Sequence, residues 1–318
     1  MIKPISISGR AWLANAIATV GLWGVWGALS GLSAQNGFPD TLVYCVWALT
    51  MILPAVVALK LAGWKRDRDR RAIAYGLTIG LLGAGGQMLL FYALTKGPAY
   101  LIFPVISLSP LVTIILSYLL LHERTGRLGV VGIVLALVAL PMFDFSPQTG
   151  EIAQGGGWFM MALAIMAAWG IQAYFMKSAN HVMSGESIFF YMMLAGLMLI
   201  PVALAMTDFS KPINVGLSGP WMAAAIQLLN SIGALTLVFA FRYGKAMVVA
   251  PLTNAGAPLV TAVLSLLLLG TLPGPLKLVG LALALVASLL LAIEPDSEDA
   301  ESAPAVPAPV PGQRTRTR

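Results

Sequence analysis

One stretch of the sequence occurs twice: PLVTIILSYLLL at residues 110–121 returns as PLVTAVLSLLLL at residues 258–269. Both copies begin with Pro-Leu-Val-Thr and continue as an uninterrupted apolar run. Self-similarity over a long sequence separation is the signature of a repeated structural unit. The chain is therefore expected to contain two copies of one unit.

The similarity extends to both sides of this element, over about fifty residues in all, and includes prolines and glycines. The matched pairs are Ala93/Ala240, Gly97/Gly244, Ala99/Ala246, Pro104/Pro251, Ser117/Ser265, Leu121/Leu269, Gly126/Gly274, Val131/Val279 and Gly132/Gly280. The run LALVA at 135–139 also returns at 283–287. The offset is about 147 residues before the Pro-Leu-Val-Thr element and about 148 after it. Trp23-Gly24 and Trp169-Gly170 extend the repeat toward the start of each copy.

The composition indicates a membrane protein. Of the 318 residues, 58% are hydrophobic and only 10% are charged, and the mean hydropathy is +0.86. A chain with this composition has too few polar residues to cover the surface of a water-soluble protein. The composition therefore argues against a soluble enzyme and a nucleic-acid-binding module. A single cysteine, Cys45, excludes an intrachain disulfide and a cysteine metal cluster.

Ten apolar segments, separated by charged residues or by Gly, Pro, Asn and Asp clusters, are predicted to be membrane-spanning helices. Their predicted bounds are 11–33, 41–59, 72–95, 99–121, 128–143, 156–176, 187–206, 219–241, 246–269 and 277–293. Alternating strand patterns are absent, which favours a helical bundle over an outer-membrane barrel. The predicted fold class is an all-α polytopic membrane protein with ten transmembrane helices.

Each copy of the repeat contains five predicted spans. Because five is odd, the second copy enters the membrane from the opposite face, and the two copies are predicted to be inverted. Such repeats place equivalent helices around a pseudo-two-fold axis in the membrane plane, with a site between them near mid-bilayer. The predicted organisation is a short N-terminus (1–10), a first repeat (11–145), a second repeat (156–293) and a disordered tail (294–318).

The positive charges fall on one side of this topology. With the N-terminus inside, the cytoplasmic segments carry Lys3, Arg10, Lys60, Lys65, Arg66, Arg68, Arg70, Arg71, Arg124, Arg127, Lys177, Arg242, Lys245, Arg314, Arg316 and Arg318. The other side carries only Lys96, Lys211 and Lys277. This bias predicts that both termini are cytoplasmic, in a protein of the inner membrane. The dense run from Lys65 to Arg71 is interpreted as a topology determinant, with a lipid or partner site as the alternative.

At the end of each repeat the sequence resembles the drug/metabolite transporter superfamily, specifically its ten-helix EamA-type members. The family pattern is a proline, an apolar helix, an acidic residue at the helix end and a glycine-led fifth helix; residues 110–121, Glu123 and Gly132 match it. The second copy departs from the pattern, because Thr271 stands where the first has Glu123. The resemblance covers about residues 11–293. It implies a cavity lined by the third, fourth, eighth and ninth helices, and export of small metabolites, often amino acids, from the cytoplasm.

Asp, Glu, Lys, Arg and His are missing from the interior of every predicted span. Such residues usually mark proton relays and ion sites, so their absence argues against the usual aspartyl proton coupling. It also argues against a membrane-embedded enzyme, which needs clustered acids, bases or metal ligands. No catalytic residue, metal site or cofactor is predicted.

Neutral polar residues on helix faces are the candidates for a substrate site. They are Gln87 in the third helix, Ser107 in the fourth, Gln227, Asn230 and Ser231 in the eighth, and Asn254 in the ninth. An amide facing lipid would leave its hydrogen-bonding groups unpaired at a cost of several kcal/mol. These groups are therefore predicted to face protein or a wet cavity. The alternative is that they serve as hydrogen-bonding glue between helices, worth about a kcal/mol or less each.

Four prolines, two tryptophans and one glutamine complete the candidate set. Pro104, Pro110, Pro251 and Pro258 are predicted to kink corresponding helices of the two repeats and to permit bending, with a simple packing bend as the alternative. Trp23 and Trp169, with Gln172 one turn after Trp169, are candidates for an apolar wall of the cavity. For these tryptophans the alternative is packing or interface anchoring.

These features predict a secondary transporter that exports a small neutral or zwitterionic metabolite by alternating access. Alternatives are a drug, cation or sugar carrier of the same superfamily, or, in a different class, a lipid flippase or a membrane-embedded enzyme. The expected partners are a small-molecule substrate and the lipid bilayer, with no nucleic acid. The protein is expected to be a monomer or a weak homodimer.

Overall fold

A computed structural model describes residues 11–121, 126–144, 157–179, 182–243, 246–270 and 274–293. Within these ranges the chain is helical and contains no strand. The N-terminal segment 1–10 and the tail 294–318, predicted to be cytoplasmic and, for the tail, disordered, lie outside the described residues. Glu123 and Thr271 also lie outside them.

The described chain forms fourteen α-helices and one π-helical turn. They are α1 (Ala11–Leu29), α2 (Leu32–Gln35), α3 (Asp40–Thr50), α4 (Ile52–Leu61), α5 (Arg70–Leu94), α6 (Ala99–Ile106), α7 (Ser109–Leu121), α8 (Arg127–Asp144), α9 (Gly157–Ala179), α10 (Gly185–Met198), α11 (Ile200–Met206), the π turn (Leu217–Trp221), α12 (Met222–Tyr243), α13 (Ala246–Leu269) and α14 (Pro275–Ile293). Several predicted spans are thus built from two shorter helices in succession.

The prediction of a polytopic helical membrane protein is confirmed. Among the described residues, seven helical segments are long and apolar enough to cross a bilayer. They are Trp12–Gln35, Asp40–Leu61, Arg70–Leu94, Ala99–Leu120, Gly157–Met176, Gly185–Met206 and Leu217–Leu237. Three shorter apolar helical stretches, Arg127–Ala139, Ala255–Leu268 and Pro275–Ala287, fall on the other three predicted spans. The count of ten spans therefore stays a prediction.

Proline breaks the second span of each repeat at equivalent positions. The break between α3 and α4 falls at Met51, three residues before Pro54, and the break between α10 and α11 falls at Leu199, two residues before Pro201. Proline lacks the backbone N–H that would continue the helix and is tolerated in the first helical turn, where no intrahelical partner is needed. Pro54 and Pro201 are 147 residues apart, the offset of the repeat.

The prolines of the fourth and ninth spans behave differently. The chain turns at Ser107 and Leu108 between α6 and α7, so Pro110 is the second residue of α7 and not a mid-helix proline as predicted. In contrast, α13 continues through both Pro251 and Pro258. The two prolines are six residues apart in the first copy and seven in the second. Seven residues are close to two helical turns.

Equivalent helices of the two halves make equivalent contacts, each with helices of the opposite half. Helix α1 packs on α12 and α13, and its counterpart α9 packs on α5 and on α6 and α7. Helix α10 packs on α5, as α3 and α4 pack on α12. The fifth segments, α8 and α14, pack on each other.

The outer surface of the bundle is apolar. Large side chains such as Leu267, Tyr118 and Met160 are 72%, 60% and 65% exposed, whereas Tyr44 and Ile102 are fully buried. An apolar surface of this extent is unfavourable in water and favourable against lipid.

Candidate functional site

The eighth span carries a buried carboxamide that is bonded to the first span. Gln227 on α12 is fully buried, and its Oε1 accepts a hydrogen bond from Nε1 of Trp26 on α1 at 2.9 Å. The Trp26 ring packs edge-on against Phe103 of α6, with 5.6 Å between ring centroids. Residues of the first, fourth and eighth spans therefore meet at this point.

One turn further along α12, Asn230 and Ser231 are bonded to other helices. The Oδ1 atom of Asn230 accepts from Nε1 of Trp47 at 3.2 Å, and its backbone carbonyl accepts from Nε1 of Trp23 at 3.1 Å. The hydroxyl of Ser231 donates to Thr50 Oγ1 at 2.8 Å, and Thr50 donates to the carbonyl of Trp47 at 2.8 Å. These bonds join α12 to α1 and α3 and match the interhelical role proposed as the alternative for the polar residues.

Two buried amide nitrogens, one on α12 and one on α5, lack a partner among the described residues. Nε2 of Gln227 and Nε2 of Gln87 are both buried and make no hydrogen bond. Gln87 lies on α5, the helix of the first half that corresponds to α12, and is 5% exposed. A buried donor without an acceptor costs about 1–3 kcal/mol. Buried polar groups in proteins are usually paired, so these two unpaired N–H groups are unusual.

The sixth span contacts α5 at its glycines. Nε1 of Trp169 donates to the carbonyl of Gly83 at 3.3 Å. A Cβ atom at Gly83 would overlap the amide of Gln172, and one at Gly86 would overlap the Trp169 ring. The absence of a side chain at these two positions therefore allows α9 to approach α5 with both polar side chains in the interface.

The fourth span carries the next candidate, Ser107, at its break. The amide of Leu108 donates to Val105, three residues before it, so the helical hydrogen bond to the carbonyl of Pro104 is not made. The buried hydroxyl of Ser107 donates to that carbonyl instead, at 2.7 Å. The side chains of Asn254, Pro110 and Pro251 lie outside the described residues, although their backbones lie in α13 and α7. Pro258 lies within α13 and is half-buried.

The two halves make the same threonine bond. Thr113 donates to the carbonyl of Gly170 at 2.9 Å, and its counterpart Thr261 donates to the carbonyl of Gly24 at 3.1 Å. These threonines belong to the Pro-Leu-Val-Thr elements, and the glycines belong to the two Trp-Gly pairs. The repeated Pro-Leu-Val-Thr element of each half therefore contacts the first helix of the other half.

Comparison with protein families gives a match over most of the chain. The model of the EamA-like transporter family matches twice, over residues 10–143 and 156–293. The chain belongs to the EamA-like transporter family. The resemblance to EamA-type transporters is thereby confirmed, and membership in this family favours transport over catalysis. Within the described residues, no group of three or more His, Cys, Asp or Glu side chains is placed to hold a metal ion.

Two further proteins are similar to this EamA-like chain. Uncharacterized protein MJ1333.1 of Methanocaldococcus jannaschii is 33% identical over 78 residues, which is 24% of this chain and 57% of the relative. The chain thus spans little more than half the length of that relative. One crystal structure has a TM-score of 0.60 at 18% identity, covering 88% of this chain and 95% of the other. At this identity the likeness shows the fold alone.

The structure brings together some of the residues predicted for the site of this EamA-like protein. Gln227, Asn230, Ser231 and Trp23 share one interface, while Trp169 and Gln172 share the interface at Gly83 and Gly86. Sequence reasoning missed Trp26, Thr50 and Phe103, which complete the first of these groups. Trp26 had a signal, because the repeat pairs it with Gln172. The assignment of these residues to a substrate site stays a prediction.

Proposed function

We propose that this protein is a secondary transporter that carries a small neutral or zwitterionic metabolite, such as an amino acid, out of the cytoplasm by alternating access. The proposal includes ten spans in two inverted repeats, with both termini on the cytoplasmic side of the inner membrane. It is supported by family membership and by the exchange of equivalent helix contacts between the halves.

The observation that carries the choice of substrate is the pair of buried, unpartnered amide nitrogens, Gln87 Nε2 and Gln227 Nε2. An N–H group without a protein acceptor binds a carbonyl or carboxylate oxygen, and both glutamines are neutral. A substrate with a full net charge would meet no opposite charge beside either of them, and burying an unpaired charge is far more costly than burying a dipole. A neutral or zwitterionic molecule with acceptor oxygens fits these donors best.

The proposal is tested by counterflow into proteoliposomes with a panel of radiolabelled amino acids. We expect Gln87→Leu to reduce transport of the accepted substrate more than about tenfold, since one lost hydrogen bond to a polar ligand is worth about 0.5–1.5 kcal/mol and misplacement adds to it. The melting temperature in detergent should not fall, because the Gln87 amide nitrogen makes no bond within the protein. Gln35→Leu is the matched control, since Gln35 is exposed at the end of α2. Unchanged transport in Gln87→Leu would remove Gln87 from the site.

The mode of coupling is tested in the same vesicles. No Asp, Glu, Lys, Arg or His lies in the interior of a predicted span. We therefore expect downhill transport or coupling through the charge of the substrate. An imposed pH gradient should therefore not concentrate a net-neutral substrate. Accumulation driven by that gradient would show a proton-coupling group that the proposal lacks.

A cationic drug is the second candidate substrate, because one observation favours it. The rings of Trp26 and Phe103 lie beside Gln227 in the interior of the bundle, and aromatic faces bind organic cations. Cells that overproduce the protein can be challenged with toxic amino acid analogues and with cationic dyes. Protection against the dyes alone would favour the second candidate.

A further inference from the structure

A groove with a volume of about 460 Å³ lies at the end of the bundle that carries the basic run, away from the amides of the interior. It is lined by Arg66, Arg68, Ile73, Phe190, Tyr191 and Leu194. The two arginines come from the non-helical segment 65–68, and the apolar side chains come from α5 and α10. Phe190 and Leu194 are one helical turn apart, so the apolar part extends along α10 away from the arginines and into the predicted membrane.

The segment that carries the arginines is fixed to α10 by the residue between them. The carboxylate of Asp67 accepts hydrogen bonds from the amide of Ser184 at 2.8 Å and from its hydroxyl at 3.0 Å. The amide of Asp67 donates to Ser187 Oγ at 2.9 Å, and Tyr191 donates to the carbonyl of Asp67 at 2.8 Å. Four bonds thus hold this one residue, and its carboxylate is bonded to Ser184.

The guanidinium groups of Arg66 and Arg68 are free to bind an anion. Arg66 stacks on Phe190, with its Cζ 4.8 Å from the ring centroid. Within the described part of the chain, neither Arg66 nor Arg68 forms an ion pair, and both side chains are exposed. A pair of arginines that are not engaged in ion pairs, in a fixed segment, is suited to bind a phosphate group.

The neighbouring residues place this site at a membrane surface. Trp64 is 60% exposed and has φ 61°, a conformation closed by the bond from its amide to the carbonyl of Leu59 at 2.7 Å. Exposed tryptophan beside a cluster of basic residues is typical of the interface between a bilayer and water. A soluble phosphate compound would leave the apolar part of the groove unfilled.

We propose that this groove binds an anionic phospholipid, with its phosphate between Arg66 and Arg68 and an acyl chain along Ile73, Phe190 and Leu194. The charge of the headgroup complements the two arginines, and the chain covers the apolar side chains. The site is independent of the proposed substrate pathway.

The proposal is tested by native mass spectrometry of the full chain in detergent, titrated with dioleoylphosphatidylglycerol or dioleoylphosphatidylcholine. We expect the wild-type protein to retain phosphatidylglycerol in preference to phosphatidylcholine. The double variant Arg66→Gln/Arg68→Gln should weaken the tightest phosphatidylglycerol site about thirtyfold, since each basic residue near anionic lipid contributes about 1 kcal/mol. Arg70→Gln/Arg71→Gln is the matched control, because it removes the same charge from the start of α5 outside the groove.

Three results would overturn the proposal. The first is equal retention of the two lipids by the wild-type protein. The second is an equal loss of phosphatidylglycerol in both double variants, which would show attraction to overall charge and not to this groove. The third is displacement of the bound lipid by inorganic phosphate at equal concentration, which would show an anion site without a role for the chain. The apolar part is tested by Leu194→Asn, which should weaken the same site without changing the preference for headgroup charge.

Discussion

The two halves of the molecule share a scaffold but differ in the polarity of one helix. In both halves a tryptophan of the first span donates to a carbonyl of the third span of the opposite half: Trp169 to Gly83 and Trp23 to Asn230. The receiving positions are 147 residues apart, as the repeat requires. One of them is glycine and the other is asparagine.

This difference continues along the two helices. Where α5 has Gly80 and Gly83, α12 has Gln227 and Asn230. Gly83 admits the side chain of Gln172 against the backbone of α5, and Gly80 allows α10 to approach closely through Ala195 and the backbone of Tyr191. The amides of α12 instead bond to the indoles of Trp26 and Trp47. The contacts to the backbone of the third span are therefore common to both halves. The polar side chains that are candidates for substrate binding are concentrated on the second half.

The largest loss of stability is expected at a glycine that lies against the backbone of the opposite half. A Cβ atom at Gly170 would lie 2.6 Å from the carbonyl oxygen of Ser109, a backbone atom, whereas one at Gly24 would mainly meet the side chain of Val260. We expect Gly170→Ala to lower the free energy of unfolding by about 1–3 kcal/mol, and Gly24→Ala to lower it less. Denaturation in mixed micelles measures both. Gly21→Ala is the control, because a Cβ atom there has no neighbour within 4 Å. Equal stability of all three variants would contradict the close approach of the halves.

The next largest loss of stability is expected at Gln227, a position where the first half has glycine. Replacing Gln227 by leucine leaves the indole N–H of Trp26 buried without an acceptor, which costs about 1–3 kcal/mol. Transport should fall together with stability, unlike in Gln87→Leu, where stability is kept. Thermal unfolding and counterflow on the same preparations separate the two variants. If Gln227→Leu were as stable as the wild type, the Trp26–Gln227 bond would not form.

A smaller and symmetric effect is expected at the paired threonines. Thr113→Val and Thr261→Val each remove one bond to a glycine carbonyl of the opposite half while keeping the shape of the side chain. An interhelical hydrogen bond of this kind contributes about 0.6 kcal/mol in a membrane protein. The two variants should therefore lose similar stability in the same denaturation assay. A loss in only one of them would show that the halves do not pack alike.

The sequence alone predicted the helical class and the repeat, because both depend on the spacing of apolar residues and of matched prolines and glycines. The repeat also pairs Pro54 with Pro201, but the breaks in the second spans were not predicted from this pairing. It did not predict that the chain breaks at Ser107 while α13 continues through Pro258, since both copies carry two prolines and the difference is one residue in their spacing.

The polar residues were found by the same kind of reasoning, but their partners were not. Helical periodicity places Gln227 and Asn230 on an inner face, and the structure buries Gln227 completely. Periodicity gives no information on which helix lies opposite that face. The pairings with Trp26 and Trp47 arise from tertiary packing over about 200 residues of sequence separation.

The smallest effect is expected at the two ends of the bundle, where the repeat places Asp67 in one half and Asn214 in the other. Both residues tie a loop to the opposite half: Asp67 accepts from Ser184, and Asn214 donates through Nδ2 to the carbonyl of Asn36 at 2.8 Å. The amide of Ser184, followed by the hydroxyl of Ser187, lowers the pKa of Asp67 below the ordinary value of 3.8. A carboxyl with a lowered pKa in the folded state stabilises the fold above its unfolded pKa, and this stabilisation is lost as the pH falls through the folded value.

Substitutions at both ends should therefore lower the stability relative to the wild type most at neutral pH and least in acid. Asp67→Asn should cost about half a kcal/mol at pH 7, because the bond is partly exposed to solvent, and should remove part of the loss of stability below pH 4. Asn214→Asp exchanges a donor for a carboxylate that faces the Asn36 carbonyl, so its stability should be lowest at neutral pH and should recover as the new acid is protonated. Melting temperatures of both variants between pH 3 and pH 7 measure this. A deficit that is the same at pH 3 and pH 7 in either variant would contradict the assignment of a charged acceptor to one tie and a neutral donor to the other.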